Sequence, residues 1–366
     1  MIHNIIRGLK TAALGIVFAT PLLSAQADAA DFSGKTIEFT IPFGAAGGSD
    51  VWARFFGPLI AEQLPGKPTI VIKNVVGGGS ITGTNQFVQR AKPDGLSILG
   101  TSGSTQFPYL LDDPRVRYDY KNLIPILLSP TGGAVYVNPS LGVKDARDIG
   151  KMKGKEMKFG SQGPSSLDLV PVLAAEILGL DVKPVFGMSR GEGRLAFERG
   201  EALYDYQTTS AYISNVVPLI KAGKAVPLFS WGVLNAKGDF VRDPSFPDLP
   251  HFAEAYEMAY GKKPTGLAYD AFKAFVVAGF AAQKPLFLPK GTSKDIVDTY
   301  VTAINKVVSA PDFKKKAGDE IGEYVQATGP AAATMMNVAL NIDPKAKEWV
   351  KNWLVTKFNA KLDGAK

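Results

Sequence analysis

The chain has 366 residues, a formal charge of +7, two histidines and no cysteine. A zinc or haem site built on histidine and cysteine is therefore disfavoured, and without disulfides the fold must rest on a hydrophobic core, which this length can supply. The basic residues are scattered and form no strip suited to nucleic acid, but their surplus suits an anionic ligand.

The first predicted element is a secretory signal peptide over residues 1–29. Arg7 and Lys10 give it a positive start, and an apolar stretch over residues 11–23 follows. A transmembrane anchor is the weaker alternative, because this stretch is shorter than the roughly 20 residues that span a bilayer. Small residues allow cleavage after Ala27 or Ala29, so we predict an exported, mature chain.

A short apolar strand, a glycine- and serine-rich turn and a helix start occur in this order three times. The strands cover residues 36–41, 69–73 and 157–159, and the turns cover residues 42–48, 74–80 and 160–166. Each turn leaves backbone N–H groups free at the positive end of a helix, where an anion is the natural partner. Any one turn could simply be a tight connection, but three that face one cleft would hold a small polyanion. There is no G-x-G-x-x-G fingerprint and no Walker sequence, so we predict no cofactor.

Strands and helices alternate from residue 36 onward, which predicts an α/β protein with largely parallel sheets. Further strands are predicted at residues 96–100, 124–128, 134–137, 182–186, 202–206 and 226–231, and helices at residues 167–178, 192–199 and 211–222. The break at Gly132 and Gly133 indicates a first crossover between domains, and the polar, proline-rich stretch 235–248 indicates a return. We therefore predict that residues 30–131 and 235–366 form domain 1 and residues 132–234 form domain 2. Such a chain describes two hinged lobes with a ligand at the carboxyl ends of their strands.

One motif favours an enzyme instead. Gly187-Met-Ser-Arg-Gly191 matches the G-x-S-x-G sequence of a hydrolase nucleophile elbow and follows the strand at residues 182–186. A later aspartate and then His251 would complete the chain order of a catalytic triad. However, His251 is the only base that could serve, and so short a pattern arises by chance in a glycine-rich chain. A secreted serine hydrolase that uses Ser189 is therefore the alternative.

Side chains of the second lobe are expected to select the ligand. Arg190 carries a guanidinium fork suited to a carboxylate, with surface pairing to a nearby glutamate as the alternative. For Arg194 we favour the surface pair. The hydroxyls of Thr208 and Thr209 follow a strand and suit a ligand contact, whereas the aromatic residues of these strands are more typical of a core.

In this order, the motifs resemble those of the substrate-binding proteins of tripartite tricarboxylate transporters over nearly the whole mature chain. The residues that carry the resemblance are Pro42-Phe43, Gly47-Gly48-Ser49-Asp50 with Arg54, Asn74 with Gly77, Gly79 and Gly83, Pro93-Asp94-Gly95, Gly160-Ser161, Ser165-Ser166, Leu219-Ile-Lys-Ala-Gly223, and Phe246-Pro-Asp-Leu-Pro250 with Glu254. The resemblance implies a two-lobed periplasmic binding protein fold, type II-like, in which crossover strands join two α/β domains around a ligand cleft. It also implies that backbone groups and ordered waters at the first two turns bind one carboxylate.

The predicted ligand contacts come from turns and strand ends of both lobes. They are Phe43, Gly47, Gly48, Ser49, Asp50, Gly78, Gly79, Ser80, Thr101, Ser102, Ser161, Gln162, Ser165, Ser166, Arg190, Thr208 and Thr209. The chain departs from the family pattern at Ala45 and Ala46, which replace Pro and Gly, and at Ser80, which replaces Gly. The stretch 257–275 also exceeds the usual length. These departures bear on which ligand is bound.

The sequence thus predicts a periplasmic solute-binding protein for a di- or tricarboxylate or a related organic acid, with no catalysis, metal or cofactor. The resemblance implies two kinds of partner, namely the small carboxylate and the large and small membrane subunits of a permease. We expect a monomer that binds no nucleic acid. A sensor protein that binds the same ligand but docks on a receptor is a further alternative.

Overall fold

The computed structural model describes residues 30–235 and 239–362, so the predicted signal peptide lies outside the described residues. The strands are β1 (Thr36–Ile41), β2 (Thr69–Asn74), β3 (Ser97–Gly100), β4 (Leu123–Ser129), β5 (Gly133–Val137), β6 (Met157–Ser161), β7 (Val182–Phe186), β8 (Tyr204–Thr208), β9 (Val226–Ser230), β10 (Val233–Leu234), β11 (Phe240–Val241), β12 (Lys284–Pro289) and β13 (Ala327–Thr328). The helices are α1 (Gly48–Gln63), α2 (Ile81–Arg90), α3 (Gly103–Leu110), α4 (Leu169–Ile177), α5 (Arg190–Glu198), α6 (Thr209–Ala211), α7 (Val217–Lys221), α8 (Phe252–Tyr260), α9 (Leu267–Val276), α10 (Lys294–Val308), α11 (Phe313–Glu320), α12 (Gly329–Leu340) and α13 (Pro344–Phe358). None of these helices is long and apolar enough to cross a membrane.

The first lobe is built on one mixed sheet with the strand order β13-β4-β12-β3-β1-β2. β1 runs parallel to β2 and β3, whereas β12 runs antiparallel to β3 and β4. Apolar residues alternate along β1, so their side chains lie on one face of the sheet. Trp52 and Phe56 are four residues apart on α1, so they lie on one face of that helix. Trp52 of α1 consequently lies 5.8 Å from Phe39 of β1 and 5.5 Å from Phe56, measured between ring centroids.

The second lobe holds a three-stranded sheet with the order β8-β5-β9, and beside it the parallel pair β6-β7. β5 is antiparallel to both of its neighbours. The prediction of largely parallel sheets is therefore wrong for this lobe. The reason is that β5 enters directly from β4 and forms no strand–helix–strand unit with β8 or β9. Two lobes joined by crossover strands are nevertheless what the sequence predicted.

Three helices that follow residue 235, namely α8, α9 and α13, pack on the second lobe. Phe252 of α8 lies 5.5 Å from Phe229 of β9, and Phe358 of α13 lies 5.8 Å from Phe186 of β7, between ring centroids. α9 packs against α4 and α13, and all of these helices share the core of the second lobe. This packing does not match a return to the first lobe at residue 235. We propose that the chain returns between α9 and β12 and that α13 visits the second lobe again.

A buried polar cluster joins the segments near the crossovers. Asp243 accepts hydrogen bonds from the Tyr324 hydroxyl and from the Ser245 amide, both at 2.8 Å. The Tyr324 hydroxyl lies 2.7 Å from the Thr209 hydroxyl, which accepts a hydrogen bond from the Gly132 amide at 3.1 Å. Burial raises the pKa of Asp243 to about 6. The cluster therefore contains a carboxyl group that titrates well above its ordinary range.

Asp243→Asn is expected to reduce the pH dependence of stability. Because the pKa of Asp243 is raised on folding, the folded chain binds more protons than the unfolded chain between about pH 4 and 6. Stability should therefore fall as the pH rises through this window, by on the order of 3 kcal/mol for a shift of this size. Thermal unfolding from pH 4 to pH 7 measures the difference between the two proteins. Asp319→Asn, on the exposed face of α11, is the control, and parallel profiles for wild type and Asp243→Asn would contradict the expectation.

Candidate functional site

A cleft of about 720 Å³ lies between the lobes and collects the three glycine-rich turns. The first lobe contributes residues 42–44 and 76–80, and the second lobe contributes residues 162–166 and 186–189. Each of these segments follows the end of a strand, so the carboxyl ends of β1, β2, β6 and β7 face one space, where α/β proteins bind ligands. The structure thus brings together the turns that the sequence analysis singled out.

A smaller pocket of about 40 Å³ adjoins the cleft and shares Phe43, Gly44, Gln162 and Ser189 with it. We call it the inner pocket; the first turns of α1, α3 and α5 and the start of β12 line it. Of the remaining predicted contacts, the inner pocket holds Gly47, Gly48, Ser49, Ser102, Arg190 and Thr208, and the cleft holds Gly78, Gly79, Ser80, Ser165 and Ser166.

The first turn presents backbone amides to the inner pocket. Gly47 is the N-cap residue of α1 and has no side chain with which to cap it. The amides of Gly48 and Ser49 find no acceptor among the described residues. Because the first amides of a helix carry partial positive charge, this end of α1 is suited to an anion.

Asp50 lines neither pocket, which corrects its prediction as a ligand contact. Its carboxylate accepts hydrogen bonds from the Ala46 amide at 2.9 Å, from Arg54 at 3.0 Å and from Asn74 at 3.0 Å. Burial alone would raise the pKa of Asp50, but these bonds more than offset it, and the pKa lies below its ordinary value. Asp50 therefore links the first turn to the second as an ionised brace.

Two of the departures from the family pattern occupy left-handed backbone conformations. Ala46 has a φ of +59° and Ser80 a φ of +93°. Residues with a Cβ adopt such angles at a cost of about 1–2 kcal/mol, which glycine avoids. The hydroxyl of Ser80 lies 3.0 Å from that of Thr105, a contact that a glycine would lack. The family pattern has glycine at these two positions, and the backbone of this chain keeps the left-handed conformation that glycine favours there.

Ala46→Gly is expected to raise the free energy of unfolding by about 1 kcal/mol, because it relieves the left-handed strain. Ala45→Gly is the matched control in the same turn. Ala45 is not in the left-handed region, so the extra freedom of glycine should lower stability there. Urea unfolding of both variants measures the difference. A loss of stability in Ala46→Gly equal to that in Ala45→Gly would show that no strain is stored.

Hydrogen bonds join the two lobes around these pockets. Ser104 donates to Gln162 Oε1 at 2.8 Å, Ser165 donates to Asp113 at 3.0 Å, and Ser210 donates to the Gly48 carbonyl at 3.0 Å. Each bond connects a residue of one lobe with a residue of the other. The lobes therefore contact each other directly in the described structure, where Gln162 and Ser165 join them in addition to lining the cleft.

Arg190 is bound inside the protein, which corrects both expectations for it. Its guanidinium pairs with Asp205, donates to the Tyr206 carbonyl at 2.6 Å and lies 3.7 Å from Asp168. It also lies over the rings of Phe159 and Tyr206, 5.0 Å and 4.6 Å from their centroids. Burial opposes its charge, but the two aspartates overcome this and raise the pKa of Arg190. The carboxylates that Arg190 holds are thus those of the protein itself. Arg194 pairs with Glu198 at 3.2 Å, but its side chain is buried and not on the surface as expected.

Thr101, Ser161 and Thr209 are fully buried and line neither the cleft nor the inner pocket, contrary to prediction. The Thr101 hydroxyl lies 3.5 Å from that of Tyr120, and Ser161 accepts a hydrogen bond from the Gly163 amide at 3.3 Å. Thr209 belongs to the polar cluster around Asp243. All three lie at or next to the end of a strand, where successive side chains point to opposite faces of the sheet. Their position in the sequence therefore does not show whether they point toward the cleft or into the core.

Lys284 is the pocket residue that the sequence analysis missed. Its side chain is 2% exposed and lines the inner pocket at the start of β12. None of the described residues offers its ammonium group a carboxylate or a hydrogen bond, and burial lowers the pKa of Lys284 to about 7. Beside it, the side-chain oxygen of Gln283 is buried without a donor. The sequence does contain a signal for this site, because Lys284 is a charged residue at the start of the apolar run Lys-Pro-Leu-Phe-Leu-Pro.

Ser189 is arranged as a helix cap. Its hydroxyl accepts a hydrogen bond from the Glu192 amide at 3.2 Å, and the Glu192 carboxylate accepts one from the Ser189 amide at 2.7 Å. This reciprocal pair is a capping box, and the φ of −64° is unstrained, unlike the backbone of a nucleophile elbow. His251 caps α8 and lines a different pocket. The residues of the proposed triad are therefore not assembled.

No model of a known protein family matches the chain. Its sequence is 28% identical over 320 residues to a UPF0065 protein encoded between tcbD and tcbE in Pseudomonas sp. strain P51, with 83% of each chain covered. It is 26% identical to a second UPF0065 protein, from Bordetella pertussis, with 85% of this chain and 86% of the relative covered. Among solved structures, the periplasmic binding protein BugD aligns with a TM-score of 0.67 and 20% identity, over 89% of this chain and 98% of its own. MatC of Rhodopseudomonas palustris with bound malate aligns with a TM-score of 0.61 and 18% identity, over 83% of this chain and 98% of its own.

The fold and its interlobe cleft define the class: this is a two-lobed protein with the fold of the periplasmic binding proteins. The predicted resemblance to the substrate-binding proteins of tripartite tricarboxylate transporters is confirmed, since the similar chains are of the UPF0065, Bug and TctC kinds.

Proposed function

We propose that the chain is an exported solute-binding protein that captures one small carboxylate between its lobes and delivers it to a tripartite transporter. The observation that carries the proposal is the convergence of unpartnered backbone amides on the interlobe space. Gly48 and Ser49 supply two of them at the start of α1, and Gly78 and Gly79 supply two more in the second turn. Such amides recognise an anion without a charged side chain.

The similar proteins support a carboxylate as that anion. MatC is described with bound malate, and an R. palustris protein that aligns with a TM-score of 0.68 is described with adipate. Both ligands are small dicarboxylates. A cleft of about 720 Å³ gives room for molecules of this size.

Capture would proceed by closure of the lobes about their crossover segments. The hydrogen bonds from Ser104 to Gln162 and from Ser165 to Asp113 form only when the lobes meet. A ligand that contacts both lobes adds its own interactions to these and shifts the population toward the closed state. The membrane subunits would then recognise the closed protein.

A ligand screen of the mature chain, residues 30–366, tests the binding step. Malate, adipate, citrate and benzoate are added separately, and thermal unfolding and calorimetry are recorded. At a hundred times its dissociation constant, a bound acid should stabilise the protein by about 2.7 kcal/mol, with one molecule bound per chain. If none of these acids, nor others of the same class, shifts the unfolding transition, the proposal fails.

Delivery to a transporter is tested in cells. Deletion of the gene is expected to abolish high-affinity uptake of the acid that binds, and restoring the gene should recover it. If uptake persists while a transcriptional response to the acid is lost, the chain is the ligand-binding part of a sensor instead.

We also propose that binding is not followed by catalysis, because Ser189 is committed to its helix cap and His251 lies elsewhere. Ser189→Ala should leave the affinity for the bound acid within a few-fold of the wild type. Hydrolysis of p-nitrophenyl esters by the mature chain, lost in both Ser189→Ala and His251→Ala, would establish the hydrolase alternative.

A further inference from the structure

The inner pocket combines free amides with a buried cation. A Cβ placed on Gly48 would lie 2.0 Å from the Thr208 hydroxyl oxygen, 3.1 Å from that of Ser210 and 3.3 Å from Lys284 Nζ. These polar atoms therefore surround one point beside the first turn of α1. Buried polar atoms are rarely left without partners, so this arrangement indicates a missing acceptor for the cation.

The charge of the pocket is not neutralised by its surroundings. Asp50 on α1 is held by Arg54, and Arg190 on α5 is held by Asp205 on β8. The neighbouring elements α3, α6, β3 and β4 carry no charged side chain. Lys284 is thus the buried cation of this pocket whose charge is unmatched, and an isolated buried charge is costly unless a partner arrives.

The size of the pocket limits what that partner can be. Its volume is about 40 Å³, against about 720 Å³ for the adjoining cleft. The inner pocket therefore suits a small group such as a carboxylate and not a whole organic acid. The remainder of a ligand would extend past Phe43, Gly44, Gln162 and Ser189 into the cleft, which shares these residues.

We infer that Lys284 is the charged anchor for one carboxylate of the ligand, which sits in the inner pocket against the amides of Gly48 and Ser49. This inference rests on the proposed function and adds to it the residue that pairs with the anion. The carboxylate accepts hydrogen bonds from Lys284 Nζ, from the two amides and from the Thr208 hydroxyl. Binding of the anion stabilises the charged form of Lys284, so above neutral pH the closed complex takes up a proton.

Lys284→Met tests the anchor, because methionine keeps the length of the side chain and removes its charge. The probe is whichever of malate, adipate, citrate and benzoate binds the wild type most tightly. Calorimetry should show an affinity roughly 10- to 100-fold weaker in the variant, as for loss of a charge-assisted hydrogen bond. The unliganded variant should be at least as stable as the wild type, because an unmatched buried charge is removed. Lys290→Met is the matched control: Lys290 directly follows β12, is exposed and bonds Asn122, so affinity should not change.

The second readout is the proton taken up on binding. Calorimetry at pH 8 in HEPES and in Tris, which differ in ionisation enthalpy, should report uptake approaching one proton per bound acid in the wild type and none in Lys284→Met. The wild-type affinity should fall by up to about tenfold per pH unit above pH 7, whereas that of the variant stays level.

The outcomes separate the two proposals. If the wild type binds an acid but Lys284→Met binds it equally well with the same proton uptake, the anchor is overturned and the proposed function stands. If the wild type binds none of the acids, the proposed function falls and the anchor falls with it.

Discussion

Replacement of Arg190 by methionine is expected to lower the free energy of unfolding by about 3–5 kcal/mol, the loss typical of breaking a buried ion pair. The reason is that Asp205 and Asp168, both fully buried, would lose their cation. Urea unfolding of the mature chain measures the effect. Arg199→Met, directly after the same helix, is the control, and it should cost much less, because Arg199 pairs with Glu201 at the surface.

A second substitution identifies the cause of this loss. Asp205→Asn in the Arg190→Met background should recover part of the stability, because it removes a charge that would otherwise be buried without a partner. If Arg190 instead gripped the ligand, Arg190→Met would remain stable and would lose affinity for malate or adipate more than for benzoate. That result would restore the prediction made from the sequence.

Gly48→Ala is expected to weaken carboxylate binding by at least tenfold, which is about 1.4 kcal/mol. The new Cβ would lie 2.0 Å from the Thr208 hydroxyl oxygen and would extend toward Lys284. It would occupy the inner pocket and push the lobes apart at the contact between Ser210 and the Gly48 carbonyl. Calorimetry with the acid that binds the wild type measures the loss.

Gly47→Ala is the matched control, since the two glycines are adjacent. A Cβ on Gly47 would meet only the Gly44 carbonyl at 3.6 Å, and its φ of −84° suits any residue. Affinity should therefore change little. Thr208→Ala combined with Gly48→Ala should restore part of the binding by removing the clash. An affinity of Gly48→Ala equal to that of the wild type would place the carboxylate outside the inner pocket.

Local patterns in the sequence predicted the elements that build the site. The strands at residues 36–41 and 182–186 have the predicted bounds, because each is an apolar run closed by a glycine-containing turn. The turn at Gly77 leads into a helix for the same local reason, since glycine supplies the positive φ of 133° that this turn requires. The alternation of these units also predicted two lobes with the cleft between them.

The sequence by itself therefore determined where the chain turns, where free amides begin a helix and that an anion suits such places, because these properties depend on neighbouring residues. Only the tertiary structure decided which distant groups meet. It gave Arg190 the carboxylates of Asp205 and Asp168, left Lys284 without one, and placed α8, α9 and α13 on the second lobe. The physical reason is that a charged or apolar residue determines what kind of partner it needs, but it does not determine where in the sequence that partner lies. A buried charge that has a partner in the protein, such as Arg190, stabilises the fold. A buried charge without one, such as Lys284, remains available to a ligand.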